Sequence, residues 1–331
     1  MSWPWPVWPA WRQARAQLAV ALTATAAVAV AAVVAGRGDS TLRQWLSVLV
    51  VVAPGILGAF WGAPLVADEL ESGTFRLAWT QDVSRTRWLA PRLAVSGLAA
   101  AAVTGLASWF VTWWAGPLDR AGLDQFGSFD SRDIVPVGYA AFAFVLGVLA
   151  GALLRKVVPA VAATLLAFTA VRLAFRLLIR PWLLPPATRV LALDPGSTGY
   201  GSSGFLPLAP APSLQPAAPD LPNAWVTSIA IVNGKGDALT ASELNRTCPG
   251  IGSRAAGGAP GAAVNGHGPV PQSVTNATHD CVARIARTYH EVVTYQPASR
   301  YWPLQWYELL VFLAAALLLA GACAWRVRRA G

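Results

Sequence analysis

DELESGTFRLAWTQDVSRTRWLAPR, residues Asp68 to Arg92, decides how this chain folds. Its 25 residues hold four arginines (Arg76, Arg85, Arg87 and Arg92) and four carboxylates (Asp68, Glu69, Glu71 and Asp82), while the roughly twenty residues on either side carry no formal charge. A segment this charged cannot lie in hydrocarbon, so it reads as a loop between two membrane spans, and its arginines argue that it faces the cytoplasm.

Outward from the loop, Leu46 to Ala67 and Leu93 to Ala115 are each long enough to cross about 30 Å of hydrocarbon. Four more apolar runs have that character: Gln17 to Ala35, Ile134 to Leu154, Val157 to Ile179 and Trp306 to Trp325. Pro54 and Gly55 interrupt the second span, and a kink is predicted there. A composition of 55% hydrophobic and 12% charged residues agrees with an integral membrane protein. The net charge of +9 is spread along the chain and accompanies no nucleic-acid motif, which argues against a nucleic-acid partner. Only Lys156 and Lys235 among the 25 basic residues are lysine, a bias that suggests a high-GC bacterial gene.

The opening MSWPWPVWPAW alternates Trp and Pro, which predicts an irregular interfacial anchor on the cytoplasmic side. A cleaved signal peptide fits less well, because its charged region should precede the apolar one. With six spans, both termini share one side. Placing them inside puts eleven basic residues in the inner flanks: Arg12, Arg15, the four of the loop, Arg155, Lys156, Arg326, Arg328 and Arg329. The two short outer connections then hold four, Arg37, Arg43, Arg120 and Arg132, so the excess favours both termini in the cytoplasm.

Between the fifth and sixth spans lies a long polar region. Pro181 to Pro222 contains ten of the 25 prolines and reads as an extended, weakly structured linker. WVTSIAIV (Trp225 to Val232) and TYHEVVTY (Thr288 to Tyr295) read as strands, and the Gly-rich 251–270 as a mobile loop. Cys248 and Cys281 are candidates for a disulfide if this region lies outside, the alternative being two free thiols. Cys323, in the last span, reads as a packing residue. The expected fold is an all-α polytopic membrane protein of six transmembrane helices, with a small mixed extracytoplasmic domain before the last helix. The expected domains are a membrane part over 1–180 with the loop 68–92, an extracytoplasmic linker and domain over 181–305, and the last helix with a basic cytoplasmic tail over 306–331.

Catalytic chemistry is sparse. His267, His279 and His290 lack helical metal-site spacing, so no metal site and no catalytic residue is expected. Neither lysine sits in a P-loop and there is no G-x-S-x-G elbow. If ATP is used, another chain holds it.

Glu69-Leu-Glu71-Ser-Gly73-Thr74, followed by Ser84-Arg85-Thr86-Arg87-Trp88, resembles the first cytoplasmic loop of type-2 ABC exporter permeases, which carry an E-x-E-x-G-T run after the second span and a Ser-Arg pair before the third. The six-span layout and the long outer insertion resemble that family too, and Thr294 to Trp306 looks like the pre-membrane sequence of one bacterial branch. The resemblance implies the permease subunit of a bacterial ABC exporter in the cytoplasmic membrane. It also implies a second permease chain, identical or not, and an ABC ATPase in trans that holds the ATP, with no cofactor in this chain. Glu69, Glu71, Gly73, Thr74, Ser84, Arg85 and Arg87 would form the ATPase-coupling loop, Ser84 capping the third span's helix; alternatively the loop is solvated and only sets topology. Arg172, Arg176 and Arg180, four apart on one helical face, read either as outer-third arginines that snorkel or as a basic vestibule in which Arg172 and Arg176 meet an anionic substrate or lipid headgroup. Two other classes stay open: a membrane-anchored sensor or binding protein that works through its outer domain, and a lipid-modifying enzyme.

Overall fold

The computed structural model describes residues 7–35, 40–72, 85–120, 125–194, 199–202, 212–215, 221–249 and 272–329. The chain divides into two compact units, Met1–Pro185 with Ala298–Gly331, and Pro186–Pro297.

The first unit is helical: α1 (Val7–Ala35), α2 (Ser40–Leu57), α3 (Ala63–Ser72), α4 (Arg85–Arg120), α5 (Val135–Leu154), α6 (Val157–Ala174) and, after the second unit, α9 (Tyr301–Arg329). Five helical stretches among the described residues are long and apolar enough to cross a membrane: Gln44–Asp68, Leu93–Pro117, Val135–Leu154, Val157–Trp182 and Ala298–Trp325. The first of the six expected spans falls short of that measure. Its apolar part is Leu18–Val34, 17 residues, about 25 Å of helix against about 30 Å of hydrocarbon. The expected irregular anchor is also corrected. Helix α1 already begins at Val7, and Pro9 is tolerated because a first-turn N–H has no partner inside the helix.

The second span is continuous from Ser40 to Ser72 but changes pitch, with a π-helical turn at Gly58–Gly62 joining α2 to α3 four residues beyond Pro54. This turn lies where the backbone touches a neighbour. A Cβ on Gly147 of α5 would fall 2.1 Å from the Gly58 carbonyl oxygen, and one on Gly151 would fall 2.4 Å from that of Ala63. Reciprocally, a Cβ on Gly58 or Gly62 would stand 2.4 Å from the carbonyl oxygen of Ala143 or Phe144. Two glycines four apart on each helix remove the side chains that would hold the backbones away, the small-residue packing that serves helices where lipid supplies no hydrophobic force between them. Helix α5 is the hub: half of its span is buried, against 17% for α6. Tyr139, Phe142, Phe168, Phe175, Leu304 and Phe312 pack around it.

The second unit is built on a three-stranded antiparallel sheet, order β1-β5-β4, from β1 (Ala187–Ala192), β4 (Trp225–Asn233) and β5 (Tyr289–Gln296). A separate pair joins β2 (Gly199–Ser202) to β3 (Pro212–Gln215). Residue Ile231 stands opposite Glu291, and Val190 opposite Val292. Helix α7 (Ala241–Thr247) starts on a capping box, Thr240 accepting from the Glu243 amide while the Glu243 carboxylate accepts from that of Thr240. That acceptance from Thr240 holds the Glu243 carboxyl below its usual range. Helix α8 is Gln272–Ile285. A disulfide joins Cys248 to Cys281, Cα atoms 5.7 Å apart, in a core with Leu193, Ile231, Leu244, Val282 and Ile285. The expectation of a weakly structured linker over 181–222 is corrected by β1. Its partner is supplied from a hundred residues away, and as an edge strand with mostly exposed side chains it shows little apolar alternation.

Candidate functional site

Arg172, Arg176 and Arg180 approach a single carboxylate, Asp130. It sits on the short 3-10 turn Phe129–Ser131 that precedes α5. The helix carrying the arginines widens into a π turn over Phe175–Ile179 and tightens at Arg180–Trp182. Arg180 is buried and central. Its Nε and Nη2 donate to the two oxygens of Glu308 on α9, at 2.9 and 2.8 Å, in the paired geometry that suits guanidinium to carboxylate, and Nη2 also contacts Asp130. Tyr139 of α5 bonds Glu308 through its hydroxyl and lies 3.2 Å from Asp130 Oδ1. The Arg172 guanidinium lies 3.4 Å from the centroid of the Tyr139 ring and 3.7 Å from Asp130, a cation over a π face. Burial pushes the Asp130 carboxyl up, but Arg180, with Arg172 and Arg176 behind it, outweighs burial and holds it below the usual range.

Gln305 closes the cluster one turn before Glu308. Its Oε1 accepts from the Val135 amide at 3.1 Å, and its Nε2 donates to the Phe129 carbonyl at 3.2 Å. Tyr301 bonds Asp133, whose left-handed backbone (φ 58°) turns the chain into α5, and whose amide and carbonyl are held by Thr112 and Ser108 of α4. Four elements are thus joined by buried charge at one end of the helical unit. Sequence spacing identified the arginine stripe but not its acceptors, because Asp130 and Glu308 are 42 residues before and 136 after Arg172.

At the other end, Glu71 stands next to the last residue of α3 and accepts at 3.0 Å from the amide of Val157, the first residue of α6. The residue before it, Lys156, supplies no side-chain cap, so Glu71 satisfies a free N–H of another helix and puts negative charge at that helix's N-terminus. Glu69 lies in α3, and Arg85 and Arg87 lie in the first turn of α4. Gly73, Thr74 and Ser84 fall outside the described residues.

Residues 25–180 match the family described as ABC-2 membrane transporter related. The recognition of an ABC-2-type permease, read from the charged loop, is borne out by that match, which takes in the loop, the glycine contact and all three arginines. The match, with five helical stretches long and apolar enough to cross a membrane, supports a multi-pass membrane chain similar to ABC transporter membrane subunits. No curated protein matches the chain at a significant level. Among the described residues no group of His, Cys, Asp and Glu could hold a metal ion. His279 stands 4.0 Å from Asp280 in an exposed pair, and His290 lies on β5.

Proposed function

We propose that this chain is the permease subunit of a bacterial ABC exporter, moving its substrate along a path between its helices and those of a second permease chain. An ATPase in trans supplies the ATP. The family match over 25–180 carries the reading, since it spans the part of the chain that would form the path and the coupling loop. Residues Glu69, Glu71, Gly73, Thr74, Ser84, Arg85 and Arg87 form the surface that receives the ATPase. The bond from Glu71 to the Val157 amide gives that surface a route into α6, whose far end carries Arg172, Arg176 and Arg180.

In this reading α1 makes a sixth crossing, both termini are cytoplasmic and residues 186–297 lie outside. The basic excess in the inner flanks supports the orientation. The Cys248–Cys281 disulfide supports it independently, because such bonds persist in oxidising compartments. Single cysteines at Ser40 and at Gly127, which is exposed, in a chain otherwise free of cysteine, are expected to react with an impermeant maleimide on intact cells, and one at Thr86 only after lysis. Reaction at Thr86 on intact cells would overturn the orientation. A sensor or binding protein remains the second reading, favoured by the separate core and disulfide of residues 186–297.

A further inference from the structure

The three arginines of the α6 stripe look equivalent in sequence, and their environments are not. Arg180 is enclosed by Asp130 and Glu308, and Arg172 is enclosed against Tyr139, the two side chains keeping 7% and 11% of their exposure. Arg176 keeps 61%. Its one partner among the described residues is the ion pair with Asp130 at 3.5 Å, and that carboxylate is already engaged by Arg180, Tyr139 and Arg172. Charge adds to the asymmetry. Three guanidinium groups face two carboxylates, Asp130 and Glu308, and the excess positive charge is displayed at Arg176.

Its surroundings identify what could answer that charge. Leu173, Leu177, Leu178 and Ile179 are all exposed, on the span with the least buried surface among the five. The exposed indole of Trp182 follows at the end of the stretch, and those of Trp302 and Trp306 open α9, the side chains that gather at the level of lipid headgroups. An exposed guanidinium at the headgroup level, engaged on one side by Asp130, keeps N–H donors open to an oxyanion from outside the chain. The described acids at this end of the helical unit, Asp130, Asp133 and Glu308, are already bonded, so a second copy of this end would offer Arg176 no free carboxylate from among them.

We infer that Arg176 is a binding site for a phosphate ester, held by its guanidinium while Asp130, Arg172 and Arg180 fix the helix beneath it. This inference rests on the membrane placement and not on the ATPase. Native mass spectrometry of the full chain, released from nanodiscs of mixed phosphatidylglycerol and phosphatidylcholine, is expected to show bound phosphatidylglycerol enriched about fivefold, the preference that one arginine near a membrane surface supplies. Arg176→Gln should abolish the enrichment, and Arg176→Lys should keep part of it. On the wild-type protein, phosphatidylglycerol with a photoreactive headgroup should label the peptide that contains Arg176, a readout that does not depend on a variant folding. Competition by millimolar glycerol 3-phosphate in detergent would assign the site to a soluble ester, and resistance to it would assign the site to lipid. Unchanged enrichment in Arg176→Gln, labelling confined to other helices, or a crosslink from position 177 to a second copy that excludes the lipid would each overturn the inference.

Discussion

The two ends of the helical unit are both rich in charge and use it in opposite ways. At one end Arg180, Glu308, Asp130 and Tyr139 are buried together and bonded to one another, tying α5, α6 and α9 to the turn before α5. At the other, Glu71 is exposed and reaches across to a single amide of α6. A buried ion cluster resists change because removing one member strands the others in low dielectric, whereas an exposed charge is answered by water. Charge on this membrane stretch is therefore enclosed at one end, while at the other it is exposed beside an apolar contact of Ala160 with Ala63 and Ala67.

Breaking the enclosed end should have the largest effect. Arg180→Ala leaves Glu308 and part of Asp130 without a counter-charge, and a loss of about 3–5 kcal/mol is expected. It would be read as a large fall in melting temperature in detergent or as failure to accumulate folded protein. Replacing both partners, Arg180→Met with Glu308→Leu, should recover much of the loss, because Asp130 keeps Arg172 and Arg176. If the double variant is as unstable as the single, the cluster is not acting as a matched ion network.

A smaller effect is expected in the sheet unit, where Glu291 faces inward on the central strand with its Oε1 buried and without a hydrogen-bond partner among the described residues. Burial pushes its carboxyl above the usual range. The folded unit then holds a proton that the unfolded chain releases, so stability is greatest at or below the ordinary carboxyl value and falls as pH rises toward the raised one. Glu291→Gln should flatten that dependence and make residues 221–296 more resistant to protease at neutral pH. Unchanged pH dependence would mean that another group sets it.

The end with the exposed charge should respond least in stability. Glu71→Ala is expected to cost under about 1 kcal/mol and leave the melting temperature nearly unchanged, while the first-turn amides of α6 exchange hydrogen faster. Glu71→Gln, which retains an acceptor oxygen, should restore their protection. Equal exchange in both variants would show that the Val157 bond does not hold this helix end.

Five of the six expected spans were legible in the sequence because long apolar runs declare themselves without knowledge of their neighbours, and β4 and β5 because β-branched residues are dense there. What stayed hidden depends on partners far along the chain. Asp130 and Glu308 were not singled out in sequence, being 178 residues apart, and only packing brings them to one arginine. Strand β1 lay inside a proline-rich stretch whose composition masked it, since an edge strand takes its order from the strand beside it. The glycines at 58, 62, 147 and 151 fit their four-residue spacing, yet nothing in either helix alone says which other helix it meets. Arg176 was legible as a basic residue facing the same way as its neighbours, but only its exposure separates it from them.

A photocrosslinking residue at Gln81, in the middle of the charged loop, tests the central claim most directly. Activated in native membranes and analysed by mass spectrometry, it is expected to capture an ATPase carrying a P-loop, while the same residue at Trp302 captures none. A crosslink to the ATPase from Trp302 and not from Gln81, or none from either in membranes where the transporter is active, would contradict the account.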